Sequence, residues 1–297
     1  MTITIAWERR LPAYSEIVFC SDSRLGGGGN IDVCQKIFPL PREDAAIGFC
    51  GSTLIAYPLI NQFISYIKHY KKNIDRALDG SELPRRFCEL ANHFLKSYMN
   101  AADLQGELKE TAFIIGFFSY RLKRPQINRI RYDNGAKRFV SIDGRFPKGR
   151  NKTLHNSGRF AMIGDLKHNY YDALQSLMPA GKTTFDMEPF SALCEMLGDI
   201  RYVDRFQEAR GPIGGAPQLL KIYPFLRTVE FAIRWPNHLN GKLYLNGRET
   251  FEYEKIHVPH INADDLNIFY PLVEIPGRNP YEARLVSSPE PLDEIPW

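Results

Sequence analysis

The sequence lacks a long apolar run, a secretion signal and a strong excess of charge. No stretch of the 297 residues reaches the roughly 20 apolar residues that a membrane-spanning helix needs. Too few apolar residues precede Glu8, Arg9 and Arg10 for the start of the chain to be a secretory signal peptide. The formal net charge of +4 is too small to indicate binding to nucleic acid. These absences favour a cytoplasmic protein that has neither nucleic acid nor a membrane as a partner.

Cysteine is scarce and does not suggest a disulfide framework. The chain has five cysteines, an odd number, and most of them stand inside apolar runs, where buried and reduced thiols are common. Reduced thiols are typical of the cytosol, so cysteine usage indicates the same compartment as the missing signal peptide. The five residues are Cys20, Cys34, Cys50, Cys88 and Cys194.

Several familiar chemical motifs are also missing. The run Gly26–Gly29 is similar to a phosphate-binding loop but lacks its Gly-Lys-Ser/Thr ending, which favours a mobile turn beside the substrate. No nucleophile-elbow motif supports a Ser-His-Asp triad. His257 and His260 stand near two aspartates, but Pro259 prevents a helical spacing and no cysteine joins them. We therefore predict neither a metal nor a cofactor.

The order of the predicted elements indicates an α+β fold. A hydrophobic content of 44% and a charged content of 24% are ordinary for a globular protein. Strands, two helices, strands, two helices and strands follow one another, which suits a four-layer α-β-β-α sandwich of two antiparallel sheets. We expect strands near 2–7, 16–22, 36–40, 44–50, 112–120, 127–132, 138–142, 160–163, 218–223, 229–234 and 242–245, and helices near 52–67, 82–101, 166–178 and 187–207.

Proline marks the boundary of the predicted domain. Residues 1–250 form the predicted sandwich, and residues 251–297 form a proline-rich C-terminal extension with too many prolines for central strands. Ile268, Phe269 and Tyr270 are apolar enough to dock this extension on a neighbouring subunit or on the outer surface. We expect the extension to lie outside the sandwich.

Charged residues stand at the ends of apolar strands in the first fifth of the chain. Asp22 and Arg24 follow one strand, Lys36 opens the next, and Gly51 follows a third. Burying a charge without a partner is costly, so we expect these charged side chains to pair with one another. Thr2 begins a run of alternating threonine and apolar residues, which is typical of a strand.

This set of residues resembles the β-type subunits of proteasomes and their bacterial relatives, a family of N-terminal nucleophile hydrolases. In that family a strand ends in Asp-x-Arg, a lysine opens a strand that continues as Lys-Ile-Phe, and a later strand ends in Gly-Ser before a long helix. The resemblance implies the four-layer sandwich, a ring-like homo-oligomer and a peptide or other amide substrate. The matching residues, in order after Thr2, are Asp22-Ser23-Arg24, Lys36-Ile37-Phe38 and Gly51-Ser52.

The second half of the chain departs from the family's pattern. The family commonly has a serine after the glycine of a strand-to-helix turn, and this chain has Asp165. The family commonly has an aspartate and a serine just before a later Gly-Gly turn, where this chain has Arg210 and Ile213. The family's supporting residues have no counterpart at these positions.

Thr2 is the candidate nucleophile. An alcohol is a weak nucleophile until a base removes its proton, and the α-amine of an N-terminal threonine can be that base because its pKa of about 7.7–8 lies near working pH. A neighbouring Lys36 ammonium would lower the pKa of both the amine and the hydroxyl. Asp22 would hold Lys36 or accept a hydrogen bond from the threonine, and Arg24 would anchor Asp22 or the glycine-rich loop. We expect an acyl-enzyme on Thr2 that water then hydrolyses.

Four further residues are assigned to transition-state and substrate binding. The resemblance implies that the backbone N–H of Gly51 forms the oxyanion hole, since a glycine there permits close backbone approach. Phe49, near the end of the same strand, is expected to line the pocket for the substrate side chain. Gly26, in the glycine-rich run, and Ser52 are also predicted to contact substrate.

The mechanism depends on removal of Met1. With Met1 retained, the Thr2 nitrogen is an amide without a basic lone pair and cannot act as the general base. Methionine aminopeptidases act when the second residue is small, and no long leader precedes Thr2. We therefore expect the protein to begin at Thr2.

Other interpretations stay open beside the enzyme. Thr2 can simply begin a strand, Asp22 and Arg24 can form a structural ion pair, and Lys36 can be a solvated edge charge. A catalytically silent scaffold would keep the fold and bind a partner, whereas a small-molecule amidase would keep the mechanism and change the substrate. The sequence leaves open the ring size and whether an unfoldase delivers substrate.

Overall fold

The computed structural model describes residues 2–26, 29–97, 104–205, 209–225 and 227–271. The α+β class and the two antiparallel sheets predicted from the sequence are confirmed, with one parallel pair at the edge of the larger sheet. The helices are α1 (Thr53–His69), α2 (Lys71–Ile74), α3 (Leu83–Lys96), α4 (Gln105–Glu110), α5 (Lys152–Ser157), α6 (Lys167–Leu177), α7 (Glu188–Gly198) and α8 (Ile200–Val203), and a 3-10 turn covers Gly80–Glu82.

The first two strands of the chain are neighbours in the larger sheet, toward one of its edges. Its strands run in the order β14-β13-β12-β11-β2-β1-β8, with β15 paired to β12 and β16 paired to β15. Thr4 lies opposite Ser21 in the register of β1 and β2, so the start of β1 meets the end of β2. Its strands are β1 (Ile3–Arg10), β2 (Ser15–Ser21), β8 (Phe160–Gly164), β11 (Gln218–Tyr223), β12 (Arg227–Trp235), β13 (Lys242–Leu245), β14 (Arg248–Glu249), β15 (His260–Asn262) and β16 (Ile268–Phe269).

The second sheet is a five-stranded meander in the order β3-β4-β5-β6-β7. The hairpin that joins β6 to β7 turns at Asp133, whose carboxylate accepts the N–H groups of Gly135 and Ala136 at 2.8 and 2.9 Å, as is typical of aspartate at the start of a turn. Its strands are β3 (Ile37–Pro39), β4 (Ala45–Cys50), β5 (Ala112–Ser119), β6 (Arg124–Asp133) and β7 (Arg138–Asp143), and a separate short ladder joins β9 (Asp204–Arg205) to β10 (Ala209–Arg210).

Apolar side chains from both sheets form one buried cluster. Phe19 of the larger sheet and Ile114 of the second sheet are fully buried in it, together with Ile163 and Leu220. Fully burying a side chain of this size stabilises a fold by about 1.5–3 kcal/mol. This shared cluster places the two sheets face to face and brings the start of β1 close to the end of β4.

The helices cover the other face of each sheet. Trp7 of β1 shares a buried cluster with Tyr170 of α6 and Phe190 of α7. Phe113 of β5 shares another with Phe63 of α1 and Phe87 of α3, whose rings contact each other edge to face. Burial at these helical positions recurs every three or four residues, which is why amphipathic sequences fold as helices here.

Three segments differ from the sequence-based expectation. The helix expected over 187–207 ends at Gly198, because Asp199 accepts the backbone N–H of Arg201 at 2.9 Å and begins a new turn. Helix α5 lies in a segment for which neither a strand nor a helix was expected from the sequence. The helix expected over 82–101 ends at Lys96, and residues 98–103 lie outside the described part of the chain.

The expected boundary at residue 250 does not hold. Strand β15 lies beyond it, pairs in parallel with β12, and buries Ile261 in the core shared with α6 and α7. Pro259 precedes this strand instead of interrupting it, and its carbonyl accepts the N–H of Ala232 at 2.9 Å. The extension as far as Pro271 therefore joins the larger sheet, and residues 272–297 lie outside the described part.

Within the described residues, no helix combines the length and the apolar character that crossing a membrane would require. The longest of them, α1, has 17 residues.

Candidate functional site

The start of β1 and the end of β2 position two of the predicted site residues. Thr2 directly precedes β1 and Asp22 directly follows β2, and these two strands are antiparallel neighbours. The N–H of Ile3 donates to Asp22 Oδ1 at 3.0 Å, and the N–H of Asp22 donates to the Ile3 carbonyl at 3.3 Å. Thr2 is 1% exposed and Asp22 is fully buried, so the strand pairing holds both side chains away from water.

Lys36 brings the third predicted residue to the same point. It lies just before β3, and its ammonium Nζ donates to Thr2 Oγ1 at 3.0 Å and to Asp22 Oδ1 at 2.7 Å. The side chains of Lys36 and Asp22 are both fully buried. Burial lowers the pKa of Lys36, and the charge and hydrogen bond of Asp22 oppose that effect. The geometry places a buried cation against the hydroxyl of Thr2.

Asp22 is held by backbone donors as well as by Lys36. Its second oxygen, Oδ2, accepts the N–H groups of Arg24 and Gly214, each at 3.2 Å. Both carboxylate oxygens of Asp22 therefore accept hydrogen bonds. The Gly-Gly turn that precedes β11 therefore contributes directly to the site, through a backbone group instead of a side chain.

Arg24 anchors the loop that contains the glycine-rich run. Its guanidinium forms a forked pair with Asp32, at 2.6 and 2.8 Å, and also donates to the carbonyls of Gly211 and Ile213. Leu25 and Ile31 close the loop with two backbone hydrogen bonds. The Arg24 side chain thus contacts this loop, whereas only its backbone N–H contacts Asp22.

Gln218 is a further residue of the site that the sequence motifs do not include. This residue opens β11, next to β2, and its side chain is 2% exposed. Gln218 Oε1 accepts the N–H of Lys36 at 3.0 Å, and Nε2 donates to Ser23 Oγ at 2.9 Å and to the Cys34 carbonyl at 2.8 Å. Its side chain therefore holds the segment that follows Asp22 and the segment that leads into Lys36, the two partners of the buried ion pair. An amide at the first position of an apolar strand was the signal in the sequence.

Asp165, which departs from the family's pattern in the sequence, lies beside Thr2. In the structure the nitrogen of Thr2 donates to Asp165 Oδ2 at 2.8 Å, and the N–H of Asp165 donates to the Thr2 carbonyl at 2.7 Å. The preceding Gly164 has a φ of +104°, and a Cβ there would lie 1.8 Å from the Thr2 oxygen. Only glycine fits this turn, and the turn closes around the backbone of Thr2.

Gly51 and Ser52 lie at the start of α1. Gly51 has a φ of +93°, and a Cβ there would lie 2.5 Å from the Glu110 carbonyl oxygen. Its N–H makes no hydrogen bond to the residues that the structure describes. The Ser52 hydroxyl donates to Glu107 Oε2 at 2.5 Å and its N–H donates to Thr111 Oγ1 at 3.1 Å. Ser52 is thus turned toward α4 and β5, and its predicted contact with substrate stays a prediction.

Phe49 does not line an open pocket, which corrects the expectation for this residue. Its side chain is fully buried in the core beneath α1, in ring contact with Phe38 and Tyr57. Side chains alternate along β4, so Phe49 points to the helix-covered face. Gly26 is exposed in the loop anchored by Arg24, and its contact with substrate stays a prediction.

Histidine and aspartate side chains form one cluster near the end of the described chain, but its members differ from the set considered as metal ligands from the sequence. His238, Asp264 and Asp265 offer atoms within 4.8 Å of one another, and His257 and His260 are not part of this group. All three residues are exposed, and Asp264 accepts hydrogen bonds from both the N–H and Nδ1 of His238. This internal hydrogen bonding accounts for the cluster.

No protein-family model and no curated protein matches the sequence. Solved structures are similar in fold. An Anbu protein from Yersinia bercovieri, described as an ancestral beta-subunit, is 11% identical with a TM-score of 0.53, over 77% of this chain and 86% of that one. Anbu from Hyphomicrobium sp. strain MC1 is 13% identical with a TM-score of 0.51, and its Gly-1 mutant is 14% identical with a TM-score of 0.50, each over 77% of this chain and 87% of that one.

These comparisons correct the family assignment suggested by the sequence. The motifs resemble proteasome β-type subunits and their bacterial relatives, but no family model matches, and the structural neighbours are Anbu proteins at 11–14% identity. At such identity the likeness shows the fold alone. The assignment to that family is therefore wrong, because short motifs at strand ends do not establish membership of a family.

Proposed function

We propose that this protein is an N-terminal-threonine hydrolase that cleaves peptide or other amide bonds through an acyl-enzyme on Thr2. The observation that carries the proposal is the position of Lys36 Nζ, 3.0 Å from Thr2 Oγ1 and 2.7 Å from Asp22. A buried cation beside a hydroxyl favours the alkoxide and so activates the oxygen as a nucleophile. The pairing with Asp22 keeps the local charge balanced.

The reaction follows from a chain that begins at Thr2. The Thr2 hydroxyl oxygen attacks the substrate carbonyl carbon while its proton passes to the α-amine, which acts as the general base. The C–N bond then breaks, the leaving amine takes that proton, and an ester to Thr2 remains. Water attacks the ester by the same route and releases the acid. The N–H of Gly51 is assigned to the developing oxyanion.

The proposal includes an assembly and a compartment. It takes the fold as the four-layer α-β-β-α sandwich expected from the sequence, which the three buried clusters support. One structural neighbour is described as a beta-subunit, and we extend assembly to this chain as a ring-like homo-oligomer. The five free cysteines support a reducing, cytoplasmic compartment.

The test compares Thr2→Ala with the wild-type protein on a panel of fluorogenic peptides and simple amides. We expect Thr2→Ala to lose turnover completely, because it removes the attacking oxygen, and to keep the fold. Thr183→Ala, at an exposed threonine, is the matched control and should keep full turnover. Full turnover by Thr2→Ala would refute the mechanism. A folded wild-type protein without Met1 that hydrolyses none of the panel would favour the catalytically silent scaffold.

A further inference from the structure

A carboxylate faces the atom that the proposed mechanism uses as its base. Asp165 Oδ2 lies 2.8 Å from the Thr2 nitrogen, and the Asp165 N–H returns a hydrogen bond to the Thr2 carbonyl at 2.7 Å. Loss of Met1 turns this nitrogen from an amide into an amine at the same place. The carboxylate would then face a group that can carry a full positive charge.

The other titratable groups around Thr2 come from four elements. Asp22 follows β2, Lys36 precedes β3, Cys50 ends β4, and Lys167 begins α6 just after Asp165. Asp22 and Lys36 form a buried pair and so offset one another. Burial raises the pKa of Cys50 to about 12, so this thiol is neutral at neutral pH. Lys167 is exposed, and water and salt screen its charge.

Asp165 is therefore the charge that directly contacts the nitrogen. We propose that Asp165 is a positioning residue that holds the α-amine of a chain beginning at Thr2, and that its carboxylate favours the ammonium form of that amine. This inference rests on the proposed function for its catalytic meaning. The glycine turn at Gly164 fixes the arrangement, because the backbone there passes too close to Thr2 for any side chain.

Asp165 affects the pH dependence of hydrolysis through the protonation of the Thr2 amine. The amine acts as a base only when it is unprotonated, so hydrolysis rises as pH rises through the amine pKa. An opposite charge within about 4–6 Å favours the charged form, typically by 1–3 pKa units. Asp165 thus raises the amine pKa and moves the acid limb of activity to higher pH, against the opposing effect of Lys36.

The experiment measures the pKa of the Thr2 amine directly. Full-length protein prepared to begin at Thr2 is treated with acetic anhydride at a series of pH values, and acetylation of the N-terminal peptide is followed by mass spectrometry. We expect Asp165→Asn to lower the amine pKa by about one unit or more. Asp172→Asn is the control, since it removes the same charge from the helix that follows Asp165, at a residue that pairs with Arg150; it should leave the pKa unchanged.

The outcomes separate this inference from the proposed function. Equal amine pKa values in wild type and Asp165→Asn would overturn the inference even if the protein hydrolyses amides. A lowered pKa in a protein that hydrolyses nothing would support the inference and count against the proposed function. Asp165→Ser gives a second reading if the asparagine variant does not fold, with circular dichroism as the check. In an active enzyme, the acid limb of kcat/KM should move to lower pH in both variants.

Discussion

At the residue scale, the site depends on one buried ion pair in contact with one hydroxyl. Lys36 and Asp22 are both fully buried, and their separation of 2.7 Å gives a strong attraction where water is excluded. Both charges are costly to bury, so each is stable only while the other is present. The same pairing that stabilises the strand ends also places the ammonium against Thr2 Oγ1.

Removing one partner of this pair should destabilise the protein strongly. In Asp22→Asn, the charge of Lys36 stays buried without its partner, and we expect a loss of about 3–5 kcal/mol in the free energy of unfolding. The pKa of Lys36 should fall further, because Asp22 is the group that opposes the effect of burial. Denaturant unfolding at neutral pH measures the loss.

The double variant Asp22→Asn/Lys36→Met is the control for this prediction. It replaces the whole pair, so it should recover a large part of the stability that Asp22→Asn loses, while it stays inactive. If Asp22→Asn and the double variant unfold at the same denaturant concentration as the wild type, the pair is not important for stability.

At the element scale, the strands of the site were predictable from the sequence and some of its contacts were not. Apolar runs that end before Asp22, begin after Lys36 and end before Gly51 indicated three strands with functional residues at their ends. The position of Asp165 depends on β8 pairing with β1, a contact between residues about 160 positions apart that no local pattern encodes. Gln218 depends in the same way on β11 pairing with β2.

Two further predictions from the sequence did not anticipate how neighbouring elements place the residues. The apolar residue Phe49 near a strand end suggested a pocket, but the alternation of side chains along β4 turns it into the core. The prolines after residue 250 suggested a separate extension, but Pro259 stands at the first residue before a strand, where its missing N–H costs nothing. In both cases the deciding factor was the neighbouring element, which the residue itself does not reveal.

The turn at Gly164 gives an element-scale prediction. In Gly164→Ala the new Cβ would lie 1.8 Å from the Thr2 carbonyl oxygen, at a φ of +104°. Strain of this kind costs about 1–3 kcal/mol, and the displaced backbone should also move Thr2 away from Lys36. We expect a lower melting temperature by differential scanning fluorimetry and loss of turnover.

The matched control is Gly181→Ala. Gly181 also has a positive φ, +79°, but nothing lies within 4 Å of a Cβ there. Gly181→Ala should lower the melting temperature through backbone strain alone. It should cause no steric clash and no loss of activity. Unchanged turnover in folded Gly164→Ala would mean that the turn does not position Thr2.

At the scale of the whole molecule, the two sheets share one buried layer and bring strand ends from both to a single point. The larger sheet contributes Thr2 and Asp22, and the lysine that opens the second sheet reaches them from the other side. A site built between sheets requires both to be in place, so we expect it to form only in the fully folded chain.

Assembly is the prediction that belongs to this scale. If the protein is a homo-oligomer, as we propose, its mass in solution should be at least twice that of the 34.1 kDa chain. Multi-angle light scattering at micromolar concentration measures it. The Thr2→Ala variant should assemble equally well, because it changes no surface outside the site. A mass near that of one chain would contradict the proposal.

The central claim, that the Thr2 hydroxyl is the nucleophile, is tested most directly by trapping. The untagged protein is incubated with a β-lactone, an electrophile that acylates an activated hydroxyl, and its intact mass and peptide map are recorded. We expect a chain without Met1 that carries a single adduct on Thr2, and no adduct in Lys36→Met. Retained Met1, or an adduct on the folded protein at any residue other than Thr2, would contradict it.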